Sequence, residues 1–259
     1  MLTLKQIEQQ YLENLQPFKK NILREYLQYK ILEIIFNSSW ANKLSFLGGT
    51  ALRMVYGNVR FSEDLDFDNF GMNKKVFSFL AKEIKEKLEE QGAKVEIKNV
   101  FKGAYRCKIK LPKILFDNKL SDLQEEKIVI QVDMAAHHFN YQSDRKILNK
   151  FDVFTQILVT PLDVLLSQKI YAIFNRKRAK GRDFYDTVFL LSLTKPNYDY
   201  LNFKLKIKNV EVLRKKILAR IKNFNFDVLA KDVEPFLFNA KDSKKVKMFV
   251  DFIKQTDLS

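Results

Sequence analysis

Phe46-Leu47-Gly48-Gly49-Thr50-Ala51-Leu52, followed by Arg60-Phe61-Ser62-Glu63-Asp64-Leu65-Asp66-Phe67, is the most informative stretch of the chain. Leu44-Ser45-Phe46-Leu47 reads as a short strand that ends at Gly48-Gly49-Thr50, and Ala51–Tyr56 reads as a helical turn or two. Backbone amides at such a strand-to-helix turn can approach a phosphate closely, and the helix dipole favours the anion. Phe61–Phe67 alternates, with Phe61, Glu63, Leu65 and Phe67 on one face and Ser62, Asp64 and Asp66 on the other. Two carboxylates held that near each other repel unless a hard cation sits between them. Magnesium takes one or two protein carboxylates together with substrate phosphate oxygens, so the pair suits phosphoryl or nucleotidyl transfer. Singly, Gly-Gly is an ordinary turn and Asp-x-Asp a solvated strand edge. Their order and separation favour a site.

Outward from this stretch, the first forty residues read as helix, with Ile22, Leu23, Tyr26, Leu27, Ile34 and Ile35 on an apolar face and Pro17 at a join. Lys74–Gln91 predicts an amphipathic helix stopped by Gly92. Strands are expected at about 94–98, 104–111 and 127–134, and in the second of these Arg106, Lys108 and Lys110 share the face opposite Cys107, Ile109 and Leu111. From Thr160 the pattern is helical. Thr160-Pro161-Leu162-Asp163 predicts a helix with Thr160 as N-cap, and further helices are expected at 182–194, 209–223 and 242–255. The expectation is an α+β fold, a mixed β-sheet with packed helices over 1–150 and a mainly helical half over 151–259.

Composition removes several classes. Of 259 residues, one is cysteine (Cys107) and two are histidine (His137, His138), which argues against a disulfide framework and a Cys/His zinc site. Seven glycines, adjacent only at Gly48-Gly49, leave no P-loop and no GxGxxG fingerprint. No targeting or membrane-spanning run is evident, and a cytoplasmic location with no membrane partner is expected. Adjacent histidines on an extended segment point opposite ways, so His137 and His138 are assigned a structural or surface role. The formal net charge of +15 suits a polyanionic partner.

Gly49-Thr50 with Asp64-x-Asp66 resembles the hallmark of the DNA polymerase β-like nucleotidyltransferase superfamily. The fuller pattern, Gly48-Gly49-Thr50-Ala51-Leu52 with Arg60-x-Ser62-Glu63-Asp64-Leu65-Asp66-Phe67, resembles the AbiEii/AbiGii (MenT-like) nucleotidyltransferase toxins of abortive-infection and toxin–antitoxin systems. A second block agrees. Lys169-Ile170-Tyr171-Ala172-Ile173-Phe174-Asn175-Arg176 resembles that family's Lys-x-x-Ala-x-x-x-Arg helix, and Arg182-Asp183-Phe184-Tyr185-Asp186 its Arg-Asp-x-x-Asp segment. The resemblance covers about 45 to 190. On residues alone, Lys169, Ala172 and Arg176 share a helix face that could clamp a triphosphate, or could be a solvated basic face. Asp183 and Asp186 share a face too, and either orient Lys169 and Arg176, assist catalysis, or form a plain ion-pair network.

The resemblance implies metal-dependent transfer of a nucleoside monophosphate from a nucleoside triphosphate. In that scheme Asp64 and Asp66 hold Mg²⁺ (or Mn²⁺), Gly48, Gly49 and Thr50 cradle the phosphates, and Lys169 with Arg176 neutralises the leaving pyrophosphate. Asp133, late in the apolar strand Lys127–Met134, is the candidate third carboxylate. It, or a hydroxide on the metal, would take the acceptor proton. The helical half would complete the nucleotide site and contact the acceptor. The implied acceptor is the 3′ end of tRNA, with a block of translation as the outcome, and a cognate antitoxin is the implied protein partner. The Arg106/Lys108/Lys110 face and the basic helices at Arg214-Lys215-Lys216 and Lys244-Lys245 suit a nucleic acid. The alternatives are transfer to a protein, an antibiotic-modifying adenylyltransferase with an acidic pocket, and a non-catalytic RNA-binding module.

Overall fold

The computed structural model describes Met1–Ser259 and divides into two compact units, Met1–Tyr56 with Phe61–Val159, and Gly57–Arg60 with Thr160–Ser259. The first unit contains helices α1 (Leu4–Glu8), α2 (Lys19–Asn37), α3 (Gly48–Tyr56), α4 (Lys74–Glu90) and α5 (Ile114–Asp117). Its strands are β1 (Leu44–Leu47), β2 (Leu65–Asn69), β3 (Glu96–Val100), β4 (Tyr105–Leu111), β5 (Ile128–Ala136), β6 (Asp144–Lys150) and β7 (Val153–Val159). They form one mixed sheet in the order β3-β4-β5-β2-β1-β7-β6. β2 runs parallel to β5 and β1 parallel to β7, while the remaining neighbours are antiparallel.

Alternation makes this sheet two-faced. Phe46, Phe67, Val132, Met134, Cys107 and Ile109 are buried on the face that carries α2 and α4. Phe36 of α2 meets Phe67, and Phe77 of α4 meets Tyr105, by ring contacts. α4 begins where the Asn73 side chain accepts from the Val76 amide, and Phe77, Leu80, Ala81, Ile84 and Leu88 supply its buried stripe. α3 is fastened to α2 by charge. Arg53 Nε donates to buried Glu25 at 2.9 Å, and Tyr11 and Lys150 reach the same carboxylate at 2.8 and 3.0 Å. Burial works against the Glu25 carboxylate, yet Arg53 and Lys150 hold its pKa below the usual value.

Two features depart from the pattern of the sequence. The β2 strand is shorter than the alternation suggests and shifted toward the C-terminus, spanning Leu65–Asn69, so Asp64 stands just before it. The β6–β7 hairpin is not among the expected strands, although Val153–Val159 is rich in β-branched and aromatic residues. Its exposed residues include the large apolar Phe154 at 70% and Ile147 at 60%, which blurs the apolar–polar alternation. Its loop, Phe151-Asp152, also lacks the Asn-Gly or Asp-Gly of a favoured two-residue turn. Phe151 takes φ 61° instead, with its ring packed among Tyr11, Tyr26 and Tyr29.

The second unit is helical, with α6 (Leu162–Asn175), α7 (Gly181–Leu191), α8 (Tyr198–Leu205), α9 (Val210–Ile221), α10 (Phe226–Val233), α11 (Lys244–Lys247) and α12 (Phe249–Gln255). Phe184, Phe224, Phe226 and Phe249 cluster in its core. At Gly181 the first turn of α7 comes so close to α10 that a Cβ would overlap the Leu229 carbonyl. The single helix expected over 242–255 is broken at Met248 into α11 and α12. α6 starts one residue later than Thr160 capping requires: Pro161 occupies the cap position without a side-chain cap. No helix is long and apolar enough to cross a membrane.

Candidate active site

The first unit gathers the acidic residues on the sheet face opposite α2 and α4. Asp66 of β2 is the register partner of Asp133 on β5, and Asp133 is in turn the partner of Arg106 on β4. In a ladder, partners project to the same side, so Asp66, Asp133 and Arg106 form one row. Asp133, proposed from sequence as the third carboxylate, is therefore beside Asp66. Both its oxygens are engaged: Arg106 donates through Nε at 2.8 Å and through its second nitrogen at 3.2 Å, and Gln131 donates at 3.0 Å. The Arg106 guanidinium is held in its charged form first by its hydrogen bond to Asp133 and then by charge, including that of Asp64 and Asp66. Arg106 thus stands within electrostatic reach of all three carboxylates. Sequence pattern marked Arg106 only as part of a basic face; its partner lies 27 positions away, beyond any local signal.

The glycine bend closes against these acids. Gly48, the first residue of α3, has φ 80°, and a Cβ there would overlap Asp66 Oδ2. Only a residue without a side chain permits both the left-handed backbone and that approach. Thr50 is fully buried and its hydroxyl donates to the Asp64 carbonyl at 2.5 Å. That bond pins the backbone of Asp64, while the amides of Gly48, Gly49 and Thr50 lie at the helix start. Gly48→Ala is expected to lower nucleotidyl transfer at least tenfold and stability by about 1–3 kcal/mol. Paired transfer assays and urea melts check this, and an unchanged rate would remove the close approach from the site.

The second unit holds the basic block. Asp186 is completely buried and accepts from Arg60 Nε and from a terminal Arg60 nitrogen, both at 2.6 Å, and from Asn58 at 2.9 Å. Lys169 Nζ lies 2.8 Å from Asp186 and 3.5 Å from Asp183, and Arg176 Nε lies 2.6 Å from Asp183. Burial disfavours the Asp186 carboxylate, but Arg60 and Lys169 outweigh it and hold its pKa far below the usual range. Arg176 does not sit on the helix face predicted for it. α6 ends at Asn175, and Arg176 follows in extended conformation, reaching Asp183 from beyond the helix end. Arg60 was visible in the motif but not as a site residue, because a partner 126 positions away leaves no trace in local spacing.

No group of three His, Cys, Asp or Glu side chains converges as a ready-made metal cage. The donor set fits a magnesium-type ion in another way, since such an ion accepts two carboxylates and completes its shell with water and phosphate oxygens. Asp64 and Asp66 beside a helix start would supply two such carboxylates. His137 is not solvent-facing: its Nδ1 lies 2.9 Å from Asp68, which also accepts from the Tyr141 hydroxyl at 2.7 Å.

A mixed sheet with a glycine bend set against Asp66, and Asp64 just before that strand, is the arrangement the resemblance to nucleotidyltransferases implies. Among solved structures, MenT4, a nucleotidyltransferase toxin from Mycobacterium tuberculosis H37Rv, has the same fold, with a TM-score of 0.60, 18% identity, and coverage of 99% of this chain and 91% of that one. JHP933 from Helicobacter pylori matches with a TM-score of 0.54, 16% identity, and coverage of 90% and 91%. No curated protein sequence matches. The family model for the nucleotidyl transferase AbiEii toxin of type IV toxin–antitoxin systems matches residues 30–258. The chain belongs to this AbiEii family and is a toxin nucleotidyltransferase. Membership implies a nucleoside triphosphate substrate, usually a divalent metal, and a cognate antitoxin.

Proposed function

We propose that this chain transfers a nucleoside monophosphate from a triphosphate to the 3′-terminal hydroxyl of tRNA, releasing pyrophosphate and blocking translation in the cytoplasm. The observation that carries the reading is the row of Asp66, Asp133 and Arg106 beside the Gly48 bend. Asp64 and Asp66 would hold Mg²⁺ or Mn²⁺, which when bound offsets phosphate charge and makes the α-phosphorus more electrophilic. The Gly48, Gly49 and Thr50 amides orient the phosphates. Asp133 takes the acceptor proton once Arg106 releases one of its oxygens, leaving the acceptor oxygen to bond to phosphorus as pyrophosphate departs. Lys169 and Arg176 neutralise charge on the triphosphate, and Asp183 and Asp186 are positioning residues that hold those two cations.

The test is transfer from labelled triphosphates to bulk tRNA with Mg²⁺, comparing wild type with Asp66→Ala. Label in the tRNA from wild type alone supports the reading. Equal labelling by both proteins removes Asp66 from the chemistry. A labelled protein band in place of RNA replaces the acceptor while keeping the reaction.

A further inference from the structure

The acidic row continues into a basic strip on the same sheet face. From Asp66 the register runs to Asp133, Arg106 and Val100 on successive strands; two residues further along the strands the next row is Gln131, Lys108 and Lys98. At roughly 4.8 Å per strand, Lys98 on β3 lies about 14 Å across the sheet from the β2 acids. Lys98 and Lys108 are both exposed, are direct cross-strand partners, and have no carboxylate partner. Their surroundings differ in this respect: Glu96, the partner of Lys110, is taken by Lys127 at 3.0 Å, and Arg106 by Asp133. Like charges directly opposite on an antiparallel pair are destabilising. An exposed lysine pair on the face that carries the carboxylates offers two adjacent positive charges to an anion laid across it.

We infer that Lys98 and Lys108 bind the phosphate backbone of an RNA acceptor and guide its end toward Asp66 and Asp133. The inference rests on the acceptor being RNA, as proposed above. A polyanion suits the site because its successive phosphates can meet both ammonium groups, which act as point charges without sequence preference. The strip is thus a contact for the body of the acceptor strand, separate from the groups that handle the triphosphate.

The experiment uses the full chain with the double substitution Lys98→Thr/Lys108→Thr, which removes both charges and keeps strand propensity. A control, Lys82→Gln/Lys85→Gln, removes the same charge from α4, on the opposite face of the sheet, where both lysines pair only with Glu86 and Glu89. Binding of bulk tRNA is measured across a salt series, and transfer is measured against tRNA and triphosphate separately. The strip variant should raise the KM for tRNA on the order of tenfold and lower the slope of log affinity against log salt by about 2, one unit per lost phosphate contact. Its kcat and its KM for triphosphate should stay within about twofold, and the control should match wild type in every respect. Unchanged tRNA affinity and slope in the strip variant overturn the inference while leaving the acceptor reading intact. An equal fall in the control overturns it in favour of net charge alone. A raised triphosphate KM overturns it in favour of a nucleotide contact. If wild type labels protein and not RNA, the acceptor reading and this inference fall together.

Discussion

Asp66→Asn is expected to cost nucleotidyl transfer about a thousandfold or more while leaving the protein at least as resistant to urea as wild type. The activity arm follows from the role proposed for the carboxylate. A bound divalent ion supplies several kcal/mol of transition-state charge stabilisation, and each 1.36 kcal/mol lost is a tenfold loss in rate. The stability arm follows from the row itself. Asp66 stands beside Asp133 in the ladder, and the charges of Asp64, Asp66 and Asp133 all act on Arg106. Removing one of three neighbouring negative charges relieves repulsion, and asparagine keeps the volume. Loss of activity with no loss of stability would mark a residue retained for chemistry at the expense of the fold. Single-turnover transfer and urea melts on the same preparation read both arms; a variant that retains a tenth of the wild-type rate would sink the assignment.

Arg60→Met should have the opposite profile, a destabilisation of about 3–5 kcal/mol in urea melts, because it strands a buried carboxylate. Asp186 is wholly buried and takes two of its hydrogen bonds from this arginine. Lys169 and Asn58 remain as partners, but they leave the bidentate geometry unfilled. The pH dependence has a definite sign. Asp186 is depressed in the folded protein relative to about 3.9 in an unfolded chain, so its contribution is fully present above the ordinary carboxylate range and is lost as pH falls through its lowered folded value. The gap between wild type and Arg60→Met should therefore be widest near neutrality and narrow as falling pH protonates Asp186 first in the variant and then in wild type. A gap under about 1 kcal/mol at neutral pH would show that the pair contributes no more than an exposed one.

The legibility of this chain divides along physical lines. The glycine bend, the acids and the amphipathic α4 could be read because each is local: a turn, a period of two, a period of 3.6. Asp133 could be placed beside them because the family resemblance implies a third carboxylate on a neighbouring strand, and one late in an apolar strand is costly without a partner. The β6–β7 hairpin escaped because Phe154 and Ile147 face solvent and Phe151 turns the chain without glycine. The ion pairs Arg106 with Asp133 in the first unit and Arg60 with Asp186 in the second escaped because their partners meet only through tertiary folding. The bond from the Thr50 hydroxyl to the Asp64 carbonyl, 14 positions away, is likewise tertiary and left no local signal.

The interruption of the first unit at Gly57–Arg60 bears on how such proteins can be recombined. Those four residues belong with Thr160–Ser259, and Arg60 brings the countercharge for Asp186 from far upstream in the chain. A chimaera of two relatives joined by one crossover at 159/160 would take its arginine from one parent and its aspartate from the other. Grafting the helical unit intact needs three junctions, so that the short loop travels with the distant segment it completes, and ancestry traced along such genes should show the two pieces inherited together.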